Sequence, residues 1–250
     1  MAVLKQKRKY HTIHQGITTR DSREFHKTKR EEIRRIETFS DAVFAFSISL
    51  LVMSLEVPQT FNELKIILQT FLPFIATVSL VFLFWYQQYR YFRSYGLNNK
   101  PVIFLNAALL VLILFYIYPL KFLFSLLFNM IIPGDYFPKA TANGLTIITN
   151  ADFYSLVMIY SAGYAAIWLV FYFLYHHAYT KRKELELTPM EIQETYRQIR
   201  GALVNVGVGV SALIFSMAGF PMIGGICYLL ILPLLLWNDW YYRKQCRQYK

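Results

Sequence analysis

The chain has 250 residues, of which 56% are hydrophobic, 18% aromatic and 16% charged, with a formal net charge of +11. A soluble domain carries roughly a quarter charged residues, and two cysteines are too few for a disulfide-stapled secreted fold. Because the charges cluster and leave long apolar stretches between them, the composition specifies a polytopic membrane protein.

Residues 1–35 form a basic arm holding eleven of the 26 Lys and Arg residues. The arm is polar throughout, so no apolar core of a signal peptide is expected. The first apolar run extends from about Ile36 to Val57 and stops at Pro58. A second runs from about Leu64 to Tyr86 and meets the polar cluster Gln87-Gln88-Tyr89-Arg90. The third begins at Pro101, a favoured first helical position, and continues to about Ile131. That is longer than the roughly 20 residues needed to cross, so Pro119 and Lys121 are expected to mark its far end, with an amphipathic extension beyond. A Gly-, Pro-, Thr- and Asn-rich loop (Pro133 to Asn150) precedes the fourth span, Ala151 to about Tyr179. The charged linker TKRKELELTPMEIQETYRQIR holds a short helix with Thr188 as N-cap before Pro189. The fifth and sixth spans, about Gly201 to Met217 and Pro221 to Trp237, form a tight hairpin before a basic tail, Tyr241 to Lys250.

Lys and Arg fix the orientation. The arm has eleven, the second-to-third loop three, the fourth-to-fifth linker five and the tail four, so 23 of the 26 share one side. Only Lys65, Lys121 and Lys139 fall on the other. With both ends on the basic side the number of spans is even, and the positive-inside rule places both termini in the cytoplasm. The expected fold is therefore an all-α integral membrane protein of six spans (residues 36–240), multi-pass in the cell membrane. The basic excess is explained by topology and by contact with anionic lipid headgroups; without basic-aromatic interleaving on a soluble domain, nucleic acid is not an expected partner.

The first span carries the most informative pattern. It reads Arg35-x-x-x-Phe39-Ser40-Asp41 and continues AVFAFSISLLVMSLEVP. Asp41 lies about one turn inside the apolar boundary, where a carboxylate is expensive unless paired or facing water. One reading makes it a functional site; the other pairs it with Arg34 or Arg35 and pins the helix at the interface. Ser40, Ser47, Ser49 and Ser54 recur along the span, and Phe46, Ser49, Leu50 and Met53 share one stripe at i, i+3, i+4 and i+7. Such a stripe suits a packed helix interface or a pore wall of apolar rings and a hydroxyl ring. Periodicity leaves both open.

This motif, with its Ala-Val-Phe-Ala and Ser-Leu-Leu-Val continuation and terminal Glu-Val-Pro, resembles the signature of the transmembrane protein 175 family of potassium channels. Trp85 and Asn106 stand where that family usually has Trp and Asn. The resemblance implies a homotetramer whose first helices line a central pore lacking a TVGYG loop. It implies a hydrophobic constriction at Phe46, apolar layers at Leu50 and Met53, and a selectivity role for Ser49. Arg35, Phe39, Ser40 and Asp41 would hold the helix end through polar contacts with neighbouring spans. The chain departs from the family at Phe46 (usually Ile or Leu), Ser49 (usually Thr), Gln88 (commonly His) and Leu120 (usually Phe after Pro119).

Other candidates are weaker. Val206-Gly207-Val208-Gly209 lacks the half-helix of a carbonyl filter, so these glycines and Gly224-Gly225 are expected to be close-packing positions. Adjacent His176 and His177 point in different directions on a helix and suit the interface better than a metal. Asn205 is expected to bond to a neighbouring helix. Trp85, Trp237 and Trp240 are expected among the interface belts. No HExxH, Gly-x-Ser-x-Gly or P-loop pattern occurs, and Asp41 and Glu56 sit at opposite ends of one helix, too far apart for acid-base work. Neither an enzyme nor a bound cofactor or metal is expected; the ligand is a permeant potassium ion. The rival readings are a secondary transporter, which would need a repeat or broken helices, and a non-conducting scaffold.

Overall fold

The computed structural model describes residues 34–53, 57–131 and 150–246. The N-terminal arm up to residue 33, Ser54, Glu56, the Gly- and Pro-rich loop with Lys139, and the last four tail residues lie outside the described residues. The helices are α1 (Arg34–Met53), α2 (Phe61–Gln69), α3 (Phe71–Tyr95), α4 (Lys100–Ile131), α5 (Asn150–Thr180), α6 (Pro189–Met217), α7 (Pro221–Cys227) and α8 (Ile231–Cys246). Six segments are long and apolar enough to cross a membrane: α1, α3, the first part of α4, α5, α6, and α7 with α8 together.

Several boundaries differ from the sequence expectation, each for a local reason. The second apolar run is divided at Thr70, because Pro73 brings no N–H to the first turn of α3 and its ring crowds the carbonyl four residues back. The short α2 that precedes it opens with a reciprocal cap. Glu63 N–H donates to Thr60 Oγ1 at 3.2 Å, and Glu63 Oε2 accepts from the Gln59 and Thr60 amides at 2.7 and 3.3 Å. The Gln59 N–H foremost, with Thr60, holds the Glu63 carboxyl below the usual carboxylate range. At its other end α3 runs on through the polar cluster to Tyr95, and Gly96 closes it in the left-handed region (φ 53) with its N–H on Phe92 O.

The linker helix and the fifth span are one helix, α6. Thr188 caps it, with a full capping box to Glu191, and nothing between Met190 and Arg200 breaks it before the apolar stretch begins. Its end is a left-handed turn at Gly219 (φ 89), where Phe220 N–H reaches back to Phe215 O at 2.8 Å. The sixth span is not a uniform α-helix: α7 tightens into a 3-10 turn at Tyr228–Leu230 before α8. Pro233 lies four residues beyond Leu229 and cannot satisfy its carbonyl, so the strain of the ring is taken up in that turn. Likewise α4 continues through Pro119, with the spanning stretch ending at Ile117 and a second apolar stretch from Pro119 to Phe128.

The bundle core is built from Phe44 and Leu51 of α1, Val81, Phe84 and Tyr91 of α3, Leu109 and Ile117 of α4, and Ile167, Phe171 and Leu174 of α5. A smaller cluster (Val208, Ala212, Cys227) joins α6 to α7. Helix approach depends on particular glycines. A Cβ on Gly163 would run into the Tyr116 ring, and that ring is tied down because its hydroxyl donates to Tyr160 O at 2.5 Å. Tyr160 OH in turn donates to the carbonyl of Pro119, so the α4–α5 contact is fixed where Pro119 interrupts the helical ladder. Gly209 packs on Ala165, and Gly224 on the Ala212 carbonyl, but a Cβ on Gly207 or Gly225 would meet nothing within 4 Å among the described residues. The close-packing expectation therefore holds for one glycine of each pair. Gly163→Ala is expected to destabilise by about 1–3 kcal/mol through overpacking, whereas Gly207→Ala is expected to gain about 0.5–1 kcal/mol of helix stability. Thermal unfolding in detergent compares them; equal shifts for both would show that the Tyr116 contact is not limiting.

Candidate functional site

α1 has two distinct faces. Ser40, Phe44, Ser47 and Leu51, spaced at i, i+4, i+7 and i+11, are buried in the bundle. The other face holds Phe39, Ala42, Ala45, Phe46, Ser49 and Met53, all exposed. Phe46 is 56% and Met53 77% exposed, and Leu50 is half-buried between the faces. Of the stripe named from the sequence, three members thus turn away from the chain's own core.

The serines separate in the same way. Ser40 and Ser47 lie in the core and donate to the carbonyls of Ile36 and Val43 at 2.9 and 2.8 Å. Ser49 donates to Ala45 O at 3.0 Å but sits on the open face. With its proton committed to the backbone, its oxygen presents lone pairs outward and acts as an acceptor.

At the basic-side end, α1 is anchored to two other helices. Gln88 of α3 donates through Nε2 to Asn106 Oδ1 of α4, and Asn106 Nδ2 donates to Ser40 Oγ at 3.0 Å. Ser40 passes its own proton to Ile36 O, so donation runs in one direction through three residues, each at most 3% exposed. Beside this chain Trp85 Nε1 donates to Asp41 Oδ1 at 2.7 Å, and the indole stacks on Tyr89 with centroids 5.7 Å apart. The hydrogen bond that holds the Asp41 carboxylate thus comes from α3, which makes Trp85 part of the anchor. Gln88 takes its place in the network because an amide donates and accepts as a neutral imidazole does.

Five motif residues therefore meet: Ser40, Asp41, Trp85, Gln88 and Asn106. Arg35 and Phe39 do not join them. They line an outward groove of about 550 Å3 with Arg34, Thr38 and Ala42, and they border a second, of about 540 Å3, between α1 and α4. Phe39 is 64% exposed.

Sequence reading passed over another cluster at the same end. Glu194 of α6 accepts from Arg90 of α3 at 2.9 Å and from Arg197 at 2.5 Å, and Arg197 reaches Asp239 of α8 at 2.6 Å. Only the i, i+3 spacing of Glu194 and Arg197 was visible in the sequence; the other two pairs need the helices to be docked. Deeper in the bundle Tyr164 OH of α5 donates to Asn205 Oδ1 of α6 at 2.5 Å, a bond to a neighbouring helix as expected for that asparagine. His176 and His177 diverge: one stacks on Tyr172, the other meets Asn99. No group of three or more His, Cys, Asp or Glu able to hold a metal occurs among the described residues.

Residues 35–116, which hold the stripe and the anchor, match the family described as endosomal/lysosomal potassium channel TMEM175. A potassium channel of Marivirga tractuosa is 36% identical over 210 residues, covering 81% of this chain and 84% of the relative. The chain belongs to the TMEM175 family. This is a family of potassium channels, not of enzymes. A crystal structure of the potassium channel MtTMEM175, a point variant bound to a nanobody fusion, superposes with a TM-score of 0.73 at 35% identity. That match covers 84% of this chain and 93% of the other. A lysosomal potassium-selective channel TMEM175 homologue from Chamaesiphon minutus shares the fold (TM-score 0.53, 24% identity, 84% of this chain and 99% of that one).

Proposed function

We propose that the protein is a passive potassium channel in which α1 from four copies surrounds the ion pathway. The observation that carries this is the open face of α1: Phe46, Ser49 and Met53 are exposed in the single chain although they lie within a spanning segment. One helix per chain cannot enclose a pore, so a closed ring of copies is required, and four is the number implied by the family resemblance. In this reading Phe46 closes the resting pore, because apolar rings at a narrow point expel water. The Ser49 oxygens replace part of the ion's hydration shell, and Leu50 and Met53 form apolar layers beyond. Both termini face the cytoplasm of a cell membrane, from the distribution of Lys and Arg.

Purified protein in liposomes with a potassium gradient tests the proposal. Potassium flux exceeding sodium flux, without a second ion or energy source, is expected; flux that saturates at transporter rates, or none from well-folded protein, would overturn it. Ser49→Ala is expected to reduce the potassium-over-sodium permeability ratio about fivefold, since a hydroxyl interaction contributes about 1 kcal/mol. Bi-ionic reversal potentials read that ratio, and an unshifted potential removes Ser49 from the selectivity ring.

A further inference from the structure

α3 carries Trp85 and Gln88 of the anchor, and two residues beyond Gln88 it carries Arg90. The backbones of α3 and α6 hardly approach each other; side chains span the gap. Arg90 donates to Glu194 at 2.9 Å, and the Tyr95 hydroxyl meets Thr195 Oγ1 at 2.8 Å. Because Thr195 gives its own proton to Glu191 O at 2.7 Å, Tyr95 is the donor. Glu194 is the hub. It also accepts from Arg197 and from Gln198 Nε2 at 2.8 Å, and Arg197 carries the chain on to Asp239 of α8. Four alternating charges thus join α3, α6 and α8.

The joint beside this cluster is poorly satisfied. Tyr91 and Tyr95 lean on the Tyr175 ring of α5, with centroids 5.5 and 6.0 Å apart, and Tyr175 OH donates to Gln87 O at a long 3.4 Å. Tyr91 is fully buried, yet its hydroxyl has no hydrogen-bond partner among the described residues, and neither has Gln87 Oε1 one turn earlier. A buried polar atom without a partner disfavours the arrangement that holds it. The Arg90–Glu194 pair acts against that cost. Its side chains are 31% and 30% exposed, so its contribution is that of a partly solvated ion pair. That is enough to bias two arrangements of α3 and too little to forbid either.

We propose that Arg90 and Glu194 are positioning residues for conduction: a breakable latch that holds α3 in the resting arrangement and, through the Gln88–Asn106–Ser40 bonds, holds α1 with it. The latch rests on the pore reading above. Its release frees the end of α3, and the anchor passes the movement to the open face of α1.

The test combines potassium flux from liposomes with hydrogen exchange of residues 87–96 in the folded protein in detergent. R90Q and E194Q are each expected to raise resting flux about threefold, the size of a partly exposed pair in a two-state equilibrium, and to speed exchange at 87–96. R90Q/E194Q is expected to do no more than the stronger single change, since both remove one contact. Y91F deletes the unpartnered hydroxyl and is expected to slow exchange and lower flux. K181Q breaks the exposed Lys181–Glu184 pair and is expected to change neither. A purely structural pair would lower flux as folded protein is lost, so the direction of the change separates the two roles. The proposal is overturned if R90Q or E194Q leaves flux at or below the wild-type level, or if their effects add. Wild-type protein that carries no potassium sinks the pore reading itself. If the wild type conducts and F46A raises flux while R90Q and E194Q do not, only the latch falls.

Discussion

In the pore reading proposed above, Phe46→Ala is expected to raise resting potassium flux on the order of tenfold in liposomes, because removing the aromatic rings from a dewetted constriction lowers its barrier by about 1.4 kcal/mol. The neighbouring Phe44 supplies the contrast. The two residues are chemically identical and two positions apart on one helix, yet Phe44 is 3% and Phe46 56% exposed. Truncating Phe44 opens a cavity among the core residues of α1, α3 and α4, costs about 3–5 kcal/mol, and lowers the unfolding temperature without opening a path for ions. Truncating Phe46 leaves the core intact and changes flux. If both variants lose stability alike and neither alters flux, the open face of α1 is a packing surface instead of a pore wall. That outcome is the result expected of a non-conducting scaffold.

Asn106→Ala has the largest expected effect on stability within the anchor. It removes the acceptor for Gln88 and the donor to Ser40, and leaves the Gln88 amide, 2% exposed, without its partner. One buried unsatisfied polar group costs about 1–3 kcal/mol, and helix-to-helix hydrogen bonds inside membranes contribute about 0.6–2 kcal/mol each. The expected total is about 2–3 kcal/mol, read as a lower unfolding temperature in detergent. Trp85→Phe removes only the bond to the exposed Asp41 and is expected to cost less than about 1 kcal/mol. Asn106→Ala combined with Ser40→Ala is expected to cost less than the two single losses added, since both act on one bond. Strict additivity would show that Ser40 and Asn106 do not act together.

The anchor could be anticipated from sequence only as a set of residue types. Ser40, Asp41, Trp85, Gln88 and Asn106 were identified through the motif and the family resemblance, but their pairing was not. The sequence offered Arg34 or Arg35 as the partner for Asp41, because local spacing brings the arginines near, whereas the actual donor Trp85 is 44 residues away. The ion-pair cluster of Arg90, Glu194, Arg197 and Asp239 was hidden for the same reason: its members lie on three helices whose docking no local periodicity encodes.

Sequence alone determined that six segments are long and apolar enough to cross a membrane and that Lys and Arg gather in the arm, the tail and alternate loops. Both follow from properties summed along the chain: apolar length against bilayer thickness, and Lys and Arg counts in the loops. Strictly local stereochemistry was legible too, as with Thr188 capping α6 ahead of Pro189. Tertiary structure alone decided which way each residue of α1 faces. A helix in lipid is apolar all round, so hydropathy cannot distinguish Phe44 from Phe46 or Ser47 from Ser49. Only contact with α3 and α4 makes one side a core and leaves the other open. It also decided which glycines are needed: Gly163 is held against a tethered Tyr116 ring, whereas a Cβ on Gly207 would meet nothing among the described residues. Composition sets where the chain resides, and packing sets what each face of a helix is available to do.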